Sequence, residues 1–178
     1  SVTGSGNARG ANSFGLPSGQ AYSCPGATSF CERICYAGKI EKMYKNVSKN
    51  LLHNWELLKD ASMETMITLL SDMIAEFVKE TDKMNSKGAD ASYDFRIHWD
   101  GDFFSRDYAM AWSIVIQRYS TVRFWAYTRT LDVVEILAGI PNLSLYISTD
   151  PVNRDEANAV SERYGVPVLA GIIADTPE

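Results

Sequence analysis

The stretch Tyr93-Asp94-Phe95-Arg96-Ile97-His98-Trp99-Asp100-Gly101-Asp102 carries the signal that decides the fold. Residues 93–99 are rich in aromatic side chains, which together with β-branched ones favour extended backbone. The glycine between two aspartates then interrupts regular structure. We therefore predict a strand over residues 93–99 that ends at Asp100, Gly101 and Asp102.

Three further strands follow the first, and helices alternate with them. The strands are predicted at residues 121–127, 143–147 and 166–173, and the helices at residues 107–119, 132–138 and 154–164. Such alternation is typical of βαβ units with a parallel sheet, so the predicted fold class is α/β. Right-handed crossovers would curl these units into an open, TIM-like partial barrel with the helices outside, because four strands are too few to close one.

A polar group stands where each predicted strand ends. Active sites of parallel α/β folds lie at the carboxyl edge of the sheet, so we expect these groups to share one cofactor-binding site. Polar residues also begin loops in general, and the acids could instead pair with Arg96, Arg123 and Arg129. The expected site residues are Asp100, Gly101, Asp102, Thr128, Arg129, Ser148 and Asp150, with Asp175 after the last strand.

The part of the chain before this repeat divides into three segments. Residues 1–12 are small and polar, and we expect a flexible N-terminus there. Residues 13–178 should form a single α/β domain that begins with a cysteine-rich loop over residues 13–38, because glycine and proline punctuate that stretch. Two helices are predicted over residues 39–85, at 39–59 and 63–84, and the βα repeats fill residues 91–178.

Cys24, Cys31 and Cys35 are the only cysteines, and all lie within one stretch of twelve residues. An odd, clustered set in a chain without an export signal favours metal ligation over disulfides. Three thiolates suit a [4Fe–4S] cluster and leave its fourth iron to a small molecule or to another ligand. The alternatives are a zinc ion completed by His53 or His98, and no metal at all.

The charge of the chain limits its partners. A net charge of −5 argues against a broadly basic nucleic-acid binder. No apolar run is long enough to cross a membrane and no secretory signal is present, so we expect a cytoplasmic protein. A set of lysines at helical spacing is interpreted as a solvated helix face, with contact to nucleic acid as the less favoured alternative. These lysines are Lys39, Lys42, Lys45 and Lys49.

Two sets of motifs resemble an uncharacterised family of bacteriophage gene products, the gene product eighty-eight-like family. The first set is Cys24-Pro25-Gly26-Ala27 with Cys35-Tyr36-Ala37. The second is Arg96-Ile97-His98-Trp99-Asp100-Gly101-Asp102-Phe103-Phe104 with Phe124-Trp125-Ala126-Tyr127-Thr128-Arg129. The resemblance runs from about residue 13 to residue 150 and implies a viral protein in the host cytoplasm, but it brings no activity with it.

The order of parts also resembles the core of radical S-adenosylmethionine (SAM) enzymes. In that family a loop with three cysteines holds a [4Fe–4S] cluster, SAM binds the open iron, and a Gly-Gly-Glu motif after the next strand holds the SAM amino group. The resemblance implies that Asp100, Gly101 and Asp102 take the place of that motif. The chain differs in its longer cysteine spacing, in these aspartates, in a second helix after the cysteines, and in lacking a strong strand before them.

Three functions follow from these observations. The first is a radical SAM-like enzyme with an iron–sulfur cluster, and the second is a non-catalytic redox or regulatory cluster protein that binds a host factor or nucleic acid. The third is a zinc-stabilised scaffold. His98 could serve as a further ligand or proton carrier in any of them, although we favour a buried structural histidine. Phosphate-binding loops, zinc-protease motifs and serine-hydrolase elbows are all absent from the sequence.

Overall fold

A computed structural model describes residues 1–7 and 10–170 of the chain. Its six strands form one sheet, and its seven α-helices connect or flank them. The strands are β1 (Ser5–Asn7), β2 (Gly10–Gly15), β3 (Asp94–Asp100), β4 (Arg123–Thr128), β5 (Leu143–Thr149) and β6 (Val168–Ala170). The helices are α1 (Ser29–Ile34), α2 (Tyr36–Met43), α3 (Lys45–Leu58), α4 (Met63–Ser86), α5 (Arg106–Arg118), α6 (Val134–Leu137) and α7 (Arg154–Tyr164).

The strands lie in the sheet in the same order as in the chain. Strands β2 to β6 are parallel, and β1 pairs with β2 in the antiparallel direction at one edge. The predicted α/β class with a parallel sheet is confirmed. Because the five parallel strands all run one way, their carboxyl ends share one edge, which we call the carboxyl edge. The finer expectation of an open barrel stays a prediction.

The core lies between one face of the sheet and the helices. Phe95 and Phe124 alternate with less buried neighbours along their strands and are almost fully buried. Their rings contact Phe77 of α4 and Trp112 of α5, with centroids 5.2 and 6.3 Å apart respectively. Each such buried aromatic stabilises the fold by about 1.5–3 kcal/mol, so this face holds the strands and helices in place.

Local signals set several of the helix ends. Ser62 and Ser105 accept hydrogen bonds from the backbone N–H groups of Thr65 and Tyr108, which caps α4 and α5. Gly165 adopts the left-handed conformation after α7, which is the usual helix stop for glycine. Helix α7 has the bounds that the sequence predicts, and α5 is shifted by one residue.

The secondary structure before residue 45 differs from the prediction in three places. Strand β2 precedes the cysteines, although its Gly-Ala-Asn-Ser-Phe-Gly sequence has little strand propensity, because pairing with β3 stabilises it. Residues 13–38, predicted as a loop, are not one loop, since α1 and the start of α2 fall within them. The helix expected over residues 39–59 is divided at Tyr44, where the backbone is extended.

The two ends of the chain also differ from the prediction or lie outside the described residues. Residues 1–12, expected to be a flexible N-terminus, include β1 and the start of β2. The strand expected over residues 166–173 appears as β6, while Asp175 and the rest of residues 171–178 lie outside the described residues. Within the described residues, no helix has the length and apolar character needed to span a membrane.

The side chain of Asn54 in α3 forms hydrogen bonds with the chain before β1 and with the end of β2. Its side-chain oxygen accepts a hydrogen bond from the Thr3 N–H at 2.7 Å, and its amide donates to the carbonyls of Thr3 at 2.9 Å and Gly15 at 3.1 Å. The Asn54 side chain is 1% exposed and its bond to Gly15 is buried, so the Gly15 carbonyl would lose its partner away from water.

We expect Asn54→Ala to lower the free energy of unfolding by about 2–4 kcal/mol, because it removes three hydrogen bonds and leaves the buried Gly15 carbonyl without a partner. Urea unfolding followed by circular dichroism measures this value. Asn50→Ala, one turn earlier on an exposed position of α3, should change stability by less than about 0.5 kcal/mol. Equal losses in the two variants would contradict the role given to Asn54.

Candidate metal and cofactor site at the carboxyl edge

The segment that carries the cysteines, residues 16–43, lies across the carboxyl ends of β3, β4 and β5. We call it the cysteine segment. At β3, the Leu16 N–H donates to the Asp100 carbonyl at 3.0 Å, and the Asp102 N–H donates to Ser23 Oγ at 3.2 Å. Gly101 lies between them with φ +83°, and a Cβ there would stand 2.4 Å from Ser23 Oγ. Only glycine combines this backbone conformation with so close an approach.

Two more contacts fix the cysteine segment at β4 and β5. A Cβ on Gly26 would stand 2.2 Å from the Arg129 carbonyl oxygen, so the two backbones touch where β4 ends. Thr28 Oγ1 donates to Asp150 Oδ2 at 2.6 Å and accepts from the Cys31 N–H at 3.0 Å. Thr28 therefore caps α1 and attaches it to the end of β5.

All three cysteines are free thiols and half-buried in this segment. Cys24 follows Ser23, Cys31 lies within α1, and Cys35 separates α1 from α2 and accepts a hydrogen bond from the Gly38 N–H at 3.3 Å. Burial, together with the negative charge of Asp102, raises the pKa of Cys24 to about 12. A negative charge on the Cys24 sulfur is therefore costly unless a cation offsets it.

Burial also raises the pKa of Cys31, while Arg129 works in the opposite direction. The charges of Cys35 and Asp150 act on the same thiol. This mutual influence places Cys31 near Cys35 and near the ends of β4 and β5. Within residues 1–7 and 10–170, however, no three Cys, His, Asp or Glu side chains are arranged to hold a single metal ion.

The two histidines have other partners. His53 is exposed and its Nε2 lies 3.0 Å from the Ser1 carbonyl oxygen. His98 is buried beside Phe103, and its Nε2 lies 2.9 Å from the hydroxyl of Tyr108. Burial, with the positive charge of Arg96, lowers the pKa of His98 to about 3, which keeps the ring neutral. These contacts agree with the interpretation of His98 as a buried structural histidine.

Asp100 provides the unsatisfied group at this edge. Its carboxyl is 2% exposed; Oδ1 accepts from the Gly101 N–H at 2.9 Å, while Oδ2 has no hydrogen-bond partner among the described residues. Burial raises the pKa of Asp100 to about 8, and the neighbouring Glu41 carboxyl adds to the shift. Glu41 is itself held by the N–H and hydroxyl of Ser18, at 2.9 and 2.5 Å. A buried oxygen without a partner is suited to accept a donor from a bound ligand.

Asp102, in contrast, is fully engaged by the protein. Oδ1 accepts from the Phe103 N–H and the Thr128 hydroxyl, both at 2.7 Å, and Oδ2 accepts from the Arg129 N–H at 2.8 Å. Burial nonetheless raises the pKa of Asp102 to about 6. Asp102 and Thr128, both expected to contact a cofactor, join the ends of β3 and β4 to each other; their contact with a cofactor stays a prediction.

Arg129 and Asp150 form an ion pair beside Cys31. Arg129 Nη1 lies 2.7 Å from Asp150 Oδ2, and the Asp150 side chain is 1% exposed. Burial works to raise the pKa of Asp150, but hydrogen bonds from Thr28 and Val152 and the Arg129 charge outweigh it, so this pKa lies below its ordinary value. Part of the alternative expectation, an ion-pair network of strand arginines, is thus present.

The edge brings together most of the expected residues, but not all of them. Ser148 is half-buried, and its backbone carbonyl accepts a hydrogen bond from the Asn153 side chain at 3.3 Å. Three residues of the edge were not predicted from the sequence: Ser23, Thr28 and Glu41. The N-cap position of Thr28 ahead of a short helix is a readable signal, whereas Ser23 and Glu41 carry none.

Comparisons with known proteins agree on one family. A family model described as Gene product 88 matches residues 3–171. A Gene 88 protein of Mycobacterium phage D29 is 56% identical over 149 residues, which is 83% of this chain and 60% of the relative. A Gene 88 protein of Mycobacterium phage L5 is 52% identical over 155 residues, 86% of this chain and 63% of the relative. The chain thus spans about three-fifths of the length of these relatives, and no solved structure matches it.

The close approach at Gly101 leads to a test with a matched pair. Gly101 and Gly139 both have positive φ, but a Cβ meets nothing within 4 Å at Gly139. We expect Gly139→Ala to cost about 1–2 kcal/mol from backbone strain. Gly101→Ala should cost about 1–3 kcal/mol more, because its methyl group collides with Ser23 and Leu16. Urea unfolding measures the loss of stability in both variants. Equal losses would mean that the cysteine segment is not in close contact with the Asp100-Gly101-Asp102 turn.

The buried carboxyl of Asp100 should make stability depend on pH. Its folded pKa of about 8 exceeds its unfolded value of 3.8, so the folded protein holds an extra proton between these pH values. Stability is therefore greatest at the acid end of this window and declines as pH rises towards 8.

Asp100→Asn should remove much of that decline in metal-free protein. The difference in unfolding free energy between about pH 5 and pH 8, from urea titrations with chelator present, should be smaller in the variant. Asp90→Asn, at an exposed position, is the control and should leave the difference unchanged. A wild-type profile that Asp100→Asn leaves unaltered would show that this carboxyl does not titrate in the window.

Proposed function

This chain belongs to the gene product 88 family of bacteriophage proteins, and from that premise we propose that it holds one [4Fe–4S] cluster in the manner of a radical SAM enzyme. Cys24, Cys31 and Cys35 would be the cluster ligands, at the carboxyl edge of the sheet. The observation that carries the proposal is the attachment of the cysteine segment to the ends of three successive strands.

That attachment supports the proposal because it sets three free thiols above one sheet edge. The contacts at Gly101, Gly26 and Thr28 fix the segment at β3, β4 and β5 in turn. Soft thiolate ligands suit iron–sulfur clusters, whose irons are held by separate cysteines. The Gly38 N–H directed at Cys35 is a donor of the kind that stabilises cluster sulfurs.

The raised thiol pKa values support a cationic centre in the same place. Cys24 has Asp100 and Asp102 as negative neighbours, so a lone thiolate would be destabilised there. Iron would offset that charge, and Arg129 beside Cys31 would offset more of it. When bound, the cluster would supply single electrons to a ligand on its open iron.

The order of elements supports the radical SAM comparison more closely than the sequence does. Strand β2 precedes the cysteines, so the order becomes strand, cysteines, helices, strand and the Asp100-Gly101-Asp102 turn. The sequential order of five parallel strands also supports the open barrel, which is part of this proposal. The second helix and the longer cysteine spacing remain differences.

The residues of the edge would have distinct tasks. Asp100 Oδ2, buried and without a partner, would accept a hydrogen bond from the ammonium group of SAM. Asp102 and Thr128 would hold the ends of β3 and β4 in register, and the Arg129–Asp150 pair would face the Cys31 side of the cluster. Ser148, on the next strand, would line the ligand site beyond them. We place this function in the reducing cytoplasm of the host cell.

A non-catalytic cluster protein that binds nucleic acid is the second candidate, and one surface favours it. Tyr36 and Tyr44 are 76% and 57% exposed, and the lysines between and after them make no ion pair in the described part of the chain. Basic and aromatic side chains together suit single-stranded nucleic acid. These lysines are Lys39, Lys42, Lys45 and Lys49.

Anaerobic purification with iron, sulfide and zinc analysis tests the proposal. We expect about four irons and four sulfides per chain and a broad absorbance near about 400 nm. Cys31→Ser should lose most of the iron and the absorbance because it removes one ligand. Ser29→Ala, at an exposed position of the same helix α1, should retain both.

Two outcomes would overturn the cluster assignment. Iron and colour that survive Cys31→Ser unaltered would show that the ligands lie elsewhere. Zinc at one ion per chain without sulfide would favour the zinc-stabilised scaffold. If the cluster is present, SAM binding weakened by Asp100→Asn supports the enzyme. A cluster without SAM affinity, together with salt-sensitive binding of nucleic acid, supports the second candidate.

A further inference from the structure

The sheet has a second face, opposite the core, which we call the open face. Its residues alternate with the buried ones along β3, β4 and β5, and they remain partly exposed in the described structure. This face carries Arg96 of β3, Trp125 and Tyr127 of β4, and Tyr146 of β5. Four large side chains thus form a continuous surface that none of the described helices buries.

Arg96 differs from the other two arginines of the strands and their ends. Arg123 lies 2.6 Å from Asp94, and Arg129 lies 2.7 Å from Asp150, whereas Arg96 forms no ion pair with any described residue. Its Nε is buried and has no hydrogen-bond partner among them. A buried guanidinium N–H requires an acceptor, and the described residues supply none for this one.

Aromatic rings surround this arginine. Trp125 stands directly beside Arg96 in the pairing of β3 with β4, and the guanidinium lies 4.8 Å from the Trp125 ring centroid and 5.9 Å from that of Tyr127. Tyr127 in turn has its centroid 5.5 Å from that of Tyr146. The rings hold the guanidinium in one position by cation–π contact, which leaves its N–H groups to bind something else.

We propose that the open face binds a small molecule that combines a flat aromatic ring with an anionic group, a carboxylate or a phosphate. The anion would accept hydrogen bonds from Arg96, and the ring would stack against Tyr127 and Tyr146. Guanidinium groups match both anions in geometry, and aromatic side chains bind flat ligands on their faces.

The charge balance of the face points to a small ligand rather than a polymer. Among the described residues, the open face offers one unpaired cation, because the Arg123 charge on the same face is already balanced by Asp94. A polyanion would need a row of such cations, and the net charge of −5 would oppose its approach. This inference uses none of the cysteines, so it does not depend on the proposed cluster.

Calorimetry with the complete purified chain tests the site, using adenosine monophosphate (AMP) and indole-3-acetate as probes. Each should bind more tightly than adenosine or inorganic phosphate alone, because only the first two offer both a ring and an anion. Arg96→Gln should weaken binding of both probes by about tenfold or more. Arg123→Gln, which removes a paired arginine from the same face, should change binding by less than about twofold.

Three results would overturn the inference. The first is that neither probe binds better than its separate ring or anion. The second is that Arg96→Gln binds as well as the wild type while circular dichroism shows it folded. The third is that a single-stranded oligonucleotide binds through Arg96 far more tightly than AMP, which would make the ligand a nucleic acid. Cys31→Ser should lose the cluster and still bind the probes. Failure of the cluster proposal can therefore be told apart from failure of the ligand site on the open face.

Discussion

The buried carboxylate of Asp102 holds the carboxyl edge of this protein together. It accepts three hydrogen bonds, from its own turn, from the last residue of β4 and from the backbone beyond β4. Its own N–H donates to Ser23, which carries the bond network into the cysteine segment. A carboxyl group removed from water is destabilising unless such bonds compensate it, so the edge keeps its shape only while all of these groups are in place.

Acidic side chains are concentrated around this network. Asp100, Glu41, Asp102 and Asp150 all lie at or beside the edge, and Arg129 is the cation that pairs there. The same surroundings raise the pKa of two of the three thiols. A metal centre or a ligand with an ammonium group would relieve this imbalance, which is the physical reason for proposing both at this edge.

The two faces of the sheet have different chemistry. The core face is aromatic and aliphatic and packs against α4 and α5, whereas the open face carries a stacked arginine among partly exposed rings. The carboxyl edge joins the two faces, so a ligand on the open face would lie along the same strands whose ends carry the cysteine segment. The core face stabilises the fold, and the ligand site that we propose lies on the opposite side of the same strands.

The sequence by itself determined the α/β class, the parallel strands after residue 90 and the helices between them. Periodicity and capping act over a few residues, which is why α7 has its predicted bounds. The sequence also identified the group of three cysteines and the acidic residues at the strand ends. Strand β2 escaped because its residues have little propensity of their own and become a strand only by pairing with β3.

Only the tertiary structure decided which of those polar residues are engaged and which are available. Asp100 and Asp102 are two residues apart, yet among the described residues one carboxyl retains an oxygen without a partner and the other accepts three hydrogen bonds. The bond from Thr28 to Asp150 joins residues 122 positions apart, and no described acid pairs with Arg96 as Asp94 does with Arg123. Such partnerships depend on how distant segments meet in space, and no local pattern in the chain encodes them.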